Sequence, residues 1–245
     1  MTIYTALQKG EYHLHHCEDY LFTGNIGDDK IICAVMDGCT MGTDSYFAST
    51  LTGKLLRKII KSMGYKELYN KQPLFDHPES YLKYILQQLL AEIVIAKNQL
   101  LLERDELLTT LMLLLIDKPT NSGIILVIGD GVASVNGLVT EFDQDNKPDY
   151  IGYHLSENFE EWYKGLKQKI SIKNIRDVSI ATDGIATFKP IAAMIVEDSI
   201  DPLYFLLNDD ISGEDEDVLE RKLRRLEHVY GLNPTDDLAV IRVIR

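Results

Sequence analysis

Residues Lys30 to Gly38 read KIICAVMDG. Every position from Ile31 to Met36 is apolar, with no polar residue between. A strand wetted on one face alternates, whereas a run like this one suits a strand covered on both faces. The run stops at Asp37-Gly38, so a carboxylate and a glycine stand where a buried strand ends. Upstream, Tyr20–Ile26 reads as its partner strand, joined through the turn Gly27-Asp28-Asp29. Downstream, Asp44 is placed to cap a helix in which Phe47, Leu51, Leu55 and Ile59 recur every four residues, with Gly64 as its stop. A second helix starts near Pro78, a residue suited to a first helical turn. Its apolar residues cover more than one face, which predicts extensive burial.

The pattern then changes. Leu107–Asp117 and Gly123–Ile128 read as strands around a turn at Lys118 to Ser122, and Val132–Val139 as a third. Thr140–Asp149 is a polar loop, Asn158–Lys169 a short helix and Val178–Ala181 a short strand. Glu214–Tyr230 is a charged amphipathic helix closed by Gly231 and Pro234, and Leu238–Ile244 is a final strand. Two long helices between blocks of strands do not make a βαβ alternation. The class expected is α+β, with helices on a mainly antiparallel sheet or on a pair of stacked sheets.

The chain has 245 residues, 45% of them hydrophobic, and a formal charge of −13. This length and composition suit one globular domain over 1–245 with a sizeable core. An acidic surface repels phosphate backbones and anionic lipid, which argues against nucleic acid or membrane partners. The first ten residues lack the charged and apolar regions of a signal peptide, and runs such as Leu111–Ile116 are too short to span a bilayer. Cys17, Cys33 and Cys39 are odd in number and show no CxxC spacing, so a disulfide framework is not expected. A monomer in a reducing cytoplasm is the simplest expectation.

Three times an apolar strand runs into Asp-Gly: at Asp37-Gly38, Asp130-Gly131 and Asp183-Gly184. Asp236-Asp237 opens the last strand, and Glu18-Asp19 precedes the first of this set. Carboxylates at strand ends are held on a rigid platform, and glycine beside them allows a sharp turn and close backbone approach. Several aspartates together repel one another unless cations lie between them, and hard divalent ions prefer oxygen ligands. Asp-Gly is also an ordinary hairpin turn, so each pair alone has a structural reading as well. No Ser-His-Asp signature or G-x-S-x-G elbow competes with a metal-based chemistry.

The ordered set Glu18-Asp19, Asp37-Gly38, Thr109-Thr110-Leu111, Gly129-Asp130-Gly131, Thr182-Asp183-Gly184 and Asp236-Asp237 resembles the type 2C metal-dependent serine/threonine protein phosphatases, in particular bacterial members. The resemblance implies two antiparallel sheets stacked face to face and flanked by helices, a four-layer αββα sandwich. It implies a phosphatase acting on phosphoserine and phosphothreonine of a phosphorylated protein substrate, through a water activated by two Mn²⁺ or Mg²⁺ ions, with a third ion in some members. By the family pattern Asp37 would bridge both ions, the Gly38 carbonyl would bind the second, and Asp183 and Asp236 would complete the first site. These three aspartates are the expected catalytic set. Glu18 and Asp19 match positions that hold metal-bound waters, and Asp130 with Asp183 matches the third site. The stretch from about Ile185 to Glu216 corresponds to a variable flap. The sequence departs from the family where Leu14 replaces a phosphate-binding arginine, where Cys39 replaces a histidine proposed as general acid, and where Cys17 replaces an asparagine. Two alternatives stay open: a catalytically weak or inactive regulatory relative, and a hydrolase of small phosphate esters.

Other features take plainer readings. His13, His15 and His16 look like transition-metal ligands but read more simply as a solvated N-terminal stretch. Asp143-Gln144-Asp145 starts like a calcium loop, but Pro148 stands where glycine is required. Glu214–Asp217 reads as an acidic helix N-terminus, with Arg221, Lys222, Arg224 and Arg225 either complementing the helix dipole or docking a phosphoprotein. The cysteines read as core fillers, with Cys39 alone placed for the site.

Overall fold

Alternation decides which face each residue of the KIICAVM strand shows. Ile31, Cys33 and Val35 point one way and Ile32, Ala34 and Met36 the other, and all six are buried. The computed structural model, which describes residues 1–144, 147–191, 200–211 and 215–245, shows what covers each side. Asp145, Glu214 and much of the expected flap lie outside the described residues.

In chain order the elements are β1 (Thr2–Gln8), β2 (Tyr20–Ile26), β3 (Lys30–Met36), α1 (Ser45–Asn70), α2 (Pro78–Leu100), β4 (Leu111–Asp117), β5 (Ser122–Ile128), β6 (Gly131–Val135), β7 (Leu138–Phe142), α3 (Phe159–Gly165), β8 (Lys169–Lys173), β9 (Asp177–Ala181), β10 (Phe188–Pro190), α4 (Pro202–Leu207), α5 (Val218–His228), β11 (Leu232–Pro234) and β12 (Leu238–Ile244). Two five-stranded antiparallel sheets form, β1-β12-β9-β6-β7 and β2-β3-β4-β5-β8, with β10 and β11 making a small ribbon. Ile31, Cys33 and Val35 pack between the sheets against Ala239, Ile241 and Val243 of β12. Ile32, Ala34 and Met36 pack under α1 and α2 with Leu56, Ile60, Leu82 and Leu86. Leu238 and Val240 face the opposite layer, where Leu206, Leu219 and Leu226 of α4 and α5 cover them. The architecture is therefore the four-layer αββα sandwich, α+β in class. Among the described residues no helix is long and apolar enough to cross a membrane.

Several expected boundaries shift for physical reasons. Val132–Val139 is not one strand: Asn136 and Gly137 both take positive φ and fold β6 back on β7 as a tight hairpin, the conformation an Asn-Gly pair favours. α1 does not stop at Gly64 but runs on to Asn70, where Glu67 accepts from the Tyr81 hydroxyl and a left-handed Lys71 ends the helix. Asp44 precedes α1 in a left-handed conformation and makes no side-chain cap. Leu107 ends a short 3-10 turn, and β4 proper begins at Leu111. α3 ends at Gly165 and Lys169–Lys173 becomes an edge strand on β5. α5 is shorter than expected at both ends. Lys222 is not a surface docking residue: it is buried and donates to the carbonyls of Phe205 (2.8 Å) and Asp209 (3.2 Å) and to the Asp209 carboxylate (2.9 Å).

Arg242 is a second buried cation. It donates through Nε and Nη2 to Asp177 and through Nη1 to the carbonyls of Leu206 and Asp209. Across the sheet Arg242 pairs with Ser179, and Ser179 with Ser134. Ser179 Oγ donates to Leu207 O and Ser134 Oγ to Asn208 Oδ1. A polar row across three strands thus receives the carbonyl end of α4, which leaves four orphan acceptors at any helix C-terminus.

Candidate metal centre

Asp37 continues the face of Cys33 and Val35, so it emerges at the edge of the space between the sheets. Its backbone is held on both sides. Asp37 N donates to Thr110 Oγ1 (3.1 Å), while Thr110 N (2.8 Å) and Thr109 Oγ1 (2.8 Å) donate to Asp37 O. The Thr109-Thr110 pair is thus a brace for Asp37. Gly38 lies so close to the first turn of α1 that an added Cβ would overlap the Ser45 carbonyl. Its N–H donates to Glu18 O (3.2 Å), which sets Glu18 beside the same strand end.

The second sheet brings the remaining carboxylates. β9 runs out into Thr182-Asp183, and Gly184 packs against the Asp237 carbonyl, a contact that a side chain would block. Thr187 Oγ1 donates to Gly184 O (2.8 Å) and accepts from Asp236 N (3.1 Å), so the Asp183 turn and Asp236 form one unit. Thr182 Oγ1 donates to Asp19 Oδ2 (2.6 Å) and accepts from Ala239 N (2.9 Å). Asp130 sits between Gly129 and Gly131, both at positive φ, where β5 passes into β6.

Electrostatics shows which of these groups face one another. Burial pushes the Asp37 carboxyl well above the usual range, and the charges of Asp19, Asp183 and Asp236 push it further. Asp19 rises through burial first, then through Asp237 and Asp183, with the Asp37 carboxyl in hydrogen-bonding reach. Asp183 is raised to about 7 by burial and by Asp130 and Asp236. Asp130 is raised by burial, then by Asp143 and Asp236. Five of the carboxylates expected from the sequence therefore lie within one mutually repelling field.

Asp237 plays a different part from Asp236. Its side chain is fully buried and accepts from Gly10 N (2.7 Å), from Glu18 N and from His13 Nδ1 (2.7 Å). It is a hub that fixes the N-terminal segment rather than a free ligand. His13 is accordingly not solvated. Its Nε2 stands 3.6 Å from Asp236 Oδ1 and 3.9 Å from Glu18 Oε2. His15 and His16 are exposed and line, with Tyr12, His13, Leu14, Glu18 and Tyr46, a cleft of about 360 Å³ beside Glu18. Leu14 points out to solvent at 81% exposure, so no cation takes the family's arginine offset. Cys39 is buried beside Tyr150, whose phenol is pushed up by burial first and then by Cys39, Asp37 and Asp130; the sequence alone does not single out Tyr150.

The chemistry of this donor set fits hard divalent cations. Glu18 Oε2 and Asp19 Oδ1 are buried with no hydrogen-bond partner among the described residues. An ionised carboxylate only accepts, so Asp19 and Asp37 cannot satisfy each other without a proton or a cation between them. Among the described residues no three His, Cys, Asp or Glu side chains are already drawn into a chelating group.

Comparison with known proteins gives a family. The description "Protein phosphatase 2C" matches residues 9–225. No curated protein matches the sequence. Among solved structures, the phosphatase domain with a regulatory-domain fragment of SpoIIE from Bacillus subtilis matches with TM-score 0.57 and 16% identity over 99% of this chain. The match spans 63% of that longer SpoIIE chain. A bacterial serine phosphatase carrying an R161E mutation matches with TM-score 0.68 and 13% identity, over 100% of this chain and 98% of its own. RsbX in complex with magnesium matches with TM-score 0.52 and 16% identity, over 97% and 92%. At these identities the structural matches speak for the fold.

Proposed function

The chain belongs to the protein phosphatase 2C family, and from that membership we propose that it hydrolyses phosphoserine and phosphothreonine esters on a phosphorylated protein. The observation that carries this reading is the pair of unsatisfied buried oxygens, Glu18 Oε2 and Asp19 Oδ1, within the field of Asp37, Asp183 and Asp236. Mn²⁺ or Mg²⁺ would be held by Asp37, Asp183 and Asp236 with the Gly38 carbonyl, Glu18 and Asp19 around them, and Asp130 at a third position. Such ions supply neutralising charge for the phosphate and a water acidic enough to be a nucleophile near neutral pH.

The chain's own residues orient and exclude. Thr109 and Thr110 hold the Asp37 backbone from both sides. The Gly184 contact with Asp237 fixes Asp183 against Asp236. Asp237 keeps His13 and Glu18 at the rim. The cleft lined by His15, His16 and Tyr46 lies beside that rim and gives a phosphorylated side chain room to approach. The magnesium in the RsbX structure supports the choice of ion class for this fold.

The test is release of phosphate from a phosphopeptide and from p-nitrophenyl phosphate, side by side, with Mn²⁺ and with excess chelator. Hydrolysis of both that needs the ion and is lost in Asp37→Asn supports the proposal. Full activity in chelator refutes it, and turnover of small esters alone would move the substrate class to small phosphate esters.

A further inference from the structure

His13 is held in a manner the acidic cluster itself does not require. Asp237 already receives two backbone N–H groups, from Gly10 (2.7 Å) and Glu18, and is fully buried. A carboxylate so placed stays an acceptor, so the His13 nitrogen against it, Nδ1 at 2.7 Å, carries the proton. In the neutral ring the lone pair then belongs to Nε2. That atom faces Asp236 Oδ1 at 3.6 Å and Glu18 Oε2 at 3.9 Å, and the Glu18 oxygen is buried with no donor. A carboxylate holding one ring nitrogen while the other looks toward acidic oxygens is the outer-shell arrangement of metal-ligating histidines.

We propose that His13 Nε2 is a direct nitrogen ligand to the divalent ion held beside Asp236 and Glu18, with Asp237 as the carboxylate that orients it. The proposal rests on the reading above that ions bind at this site. Neighbouring ligands on one octahedral ion at bond lengths of about 2.1 Å lie roughly 3.0 Å apart. The observed separations of 3.6 and 3.9 Å exceed this spacing, and closing by about 0.6–0.9 Å is within reach of side-chain rotation. The other polar group on this face, Asp237, is committed to the backbone and to Nδ1. A nitrogen donor favours transition ions such as Mn²⁺, Co²⁺ and Zn²⁺ over Mg²⁺. The site would therefore discriminate between ions that an all-oxygen set treats more evenly.

The experiment uses the full chain, stripped with chelator and reloaded with Mn²⁺. Pulsed EPR reads whether a nitrogen-14 nucleus couples to the bound ion, and calorimetry reads affinity for Mn²⁺, Co²⁺ and Mg²⁺. The native chain is expected to show imidazole nitrogen coupling. His13→Gln, which keeps an N–H for Asp237, is expected to lose it and to weaken Mn²⁺ and Co²⁺ binding at least tenfold, with a smaller change for Mg²⁺. Asp237→Asn is expected to keep the coupling while weakening affinity by roughly 10–100-fold, the effect of an outer-shell change. His15→Ala with His16→Ala should retain both coupling and affinity. Mn²⁺ that binds without nitrogen coupling, or coupling that survives in His13→Gln, overturns the assignment of His13 and leaves the metal reading standing. No binding of any of the three ions overturns both.

Discussion

The crowding of carboxylates should make the metal-free protein lose stability as pH rises. Asp183, ordinarily near 3.8, is raised to about 7 in the fold. Between those values the folded chain holds a proton at this site that the unfolded chain has released. Stability therefore falls with rising pH, and the contribution is lost as pH passes through the folded value. For one such group the loss between pH 5 and pH 8 is about 2.5 kcal/mol. In a chain of this size that corresponds to roughly 5–10 °C in Tm. Asp183→Asn carries no charge at any pH, so its melting temperature in chelator should fall less over the same range. The variant and native curves should converge only below the ordinary carboxyl value of 3.8 and should already differ at pH 5, diverging further toward pH 8 with the variant above. Added Mn²⁺ should reverse the order, since ion at a hundred times its Kd stabilises the binding-competent native chain by about 2.7 kcal/mol. The assay is thermal unfolding by circular dichroism in buffers with chelator or Mn²⁺. Parallel native and variant curves from pH 5 to 8 would refute the claim that Asp183 sits in a repelling, desolvated field.

Other outcomes follow from the same contacts. Gly38→Ala forces a methyl onto the Ser45 carbonyl. It should cost about 1–3 kcal/mol by denaturant titration and reduce phosphatase activity by displacing Asp37. Arg242→Met leaves the half-buried Asp177 carboxylate and the Leu206 and Asp209 carbonyls without their cation. Urea unfolding should show a loss of about 3–5 kcal/mol, partly restored when Asp177→Leu is added. Asp37→Asn should abolish ion-dependent hydrolysis while raising the stability of the chelated protein at pH 8, because it removes a carboxyl that the unfolded chain ionises freely and the fold resists ionising.

What could be read in the sequence follows from what kind of force fixed it. The KIICAVM strand and its Asp37-Gly38 exit were legible because burial on both faces leaves no polar residue to confuse the period. β12 was legible from its apolar run, α2 from Pro78 and its broad apolar face, and β2 from the Gly27-Asp28-Asp29 turn that joins it to β3. The Asn136-Gly137 turn was present in the sequence, but the continuous run Val132–Val139 hid it, and two short strands read as one. β1 and β8 are edge strands whose identity depends on neighbours far along the chain, Thr2 on Ile244 and Ser122 on Lys173. Local pattern carries no such information. In the site, the aspartates stood out by residue type and position. The separate duties of Asp236 and Asp237 did not, because only the fold shows that Asp237 continues the inward face of Ala239 and Ile241 while meeting Gly10, His13 and Glu18. Arg242 interrupts the apolar run of the last strand, between Ile241 and Val243. It is polar, but the acceptors at the end of α4 let it be buried.

The pairing of β1 with β12 has a consequence for how the molecule is made. Thr2 lies opposite Ile244 and Gln8 opposite Leu238, so β1 is synthesised well before the strand it pairs with. Asp237, which ties down Gly10, His13 and Glu18, arrives together with β12. Contacts this distant in sequence form slowly. A nascent chain therefore carries the Asp37 strand hairpin and its helices well before Asp236 and Asp237 arrive to complete the carboxylate cluster.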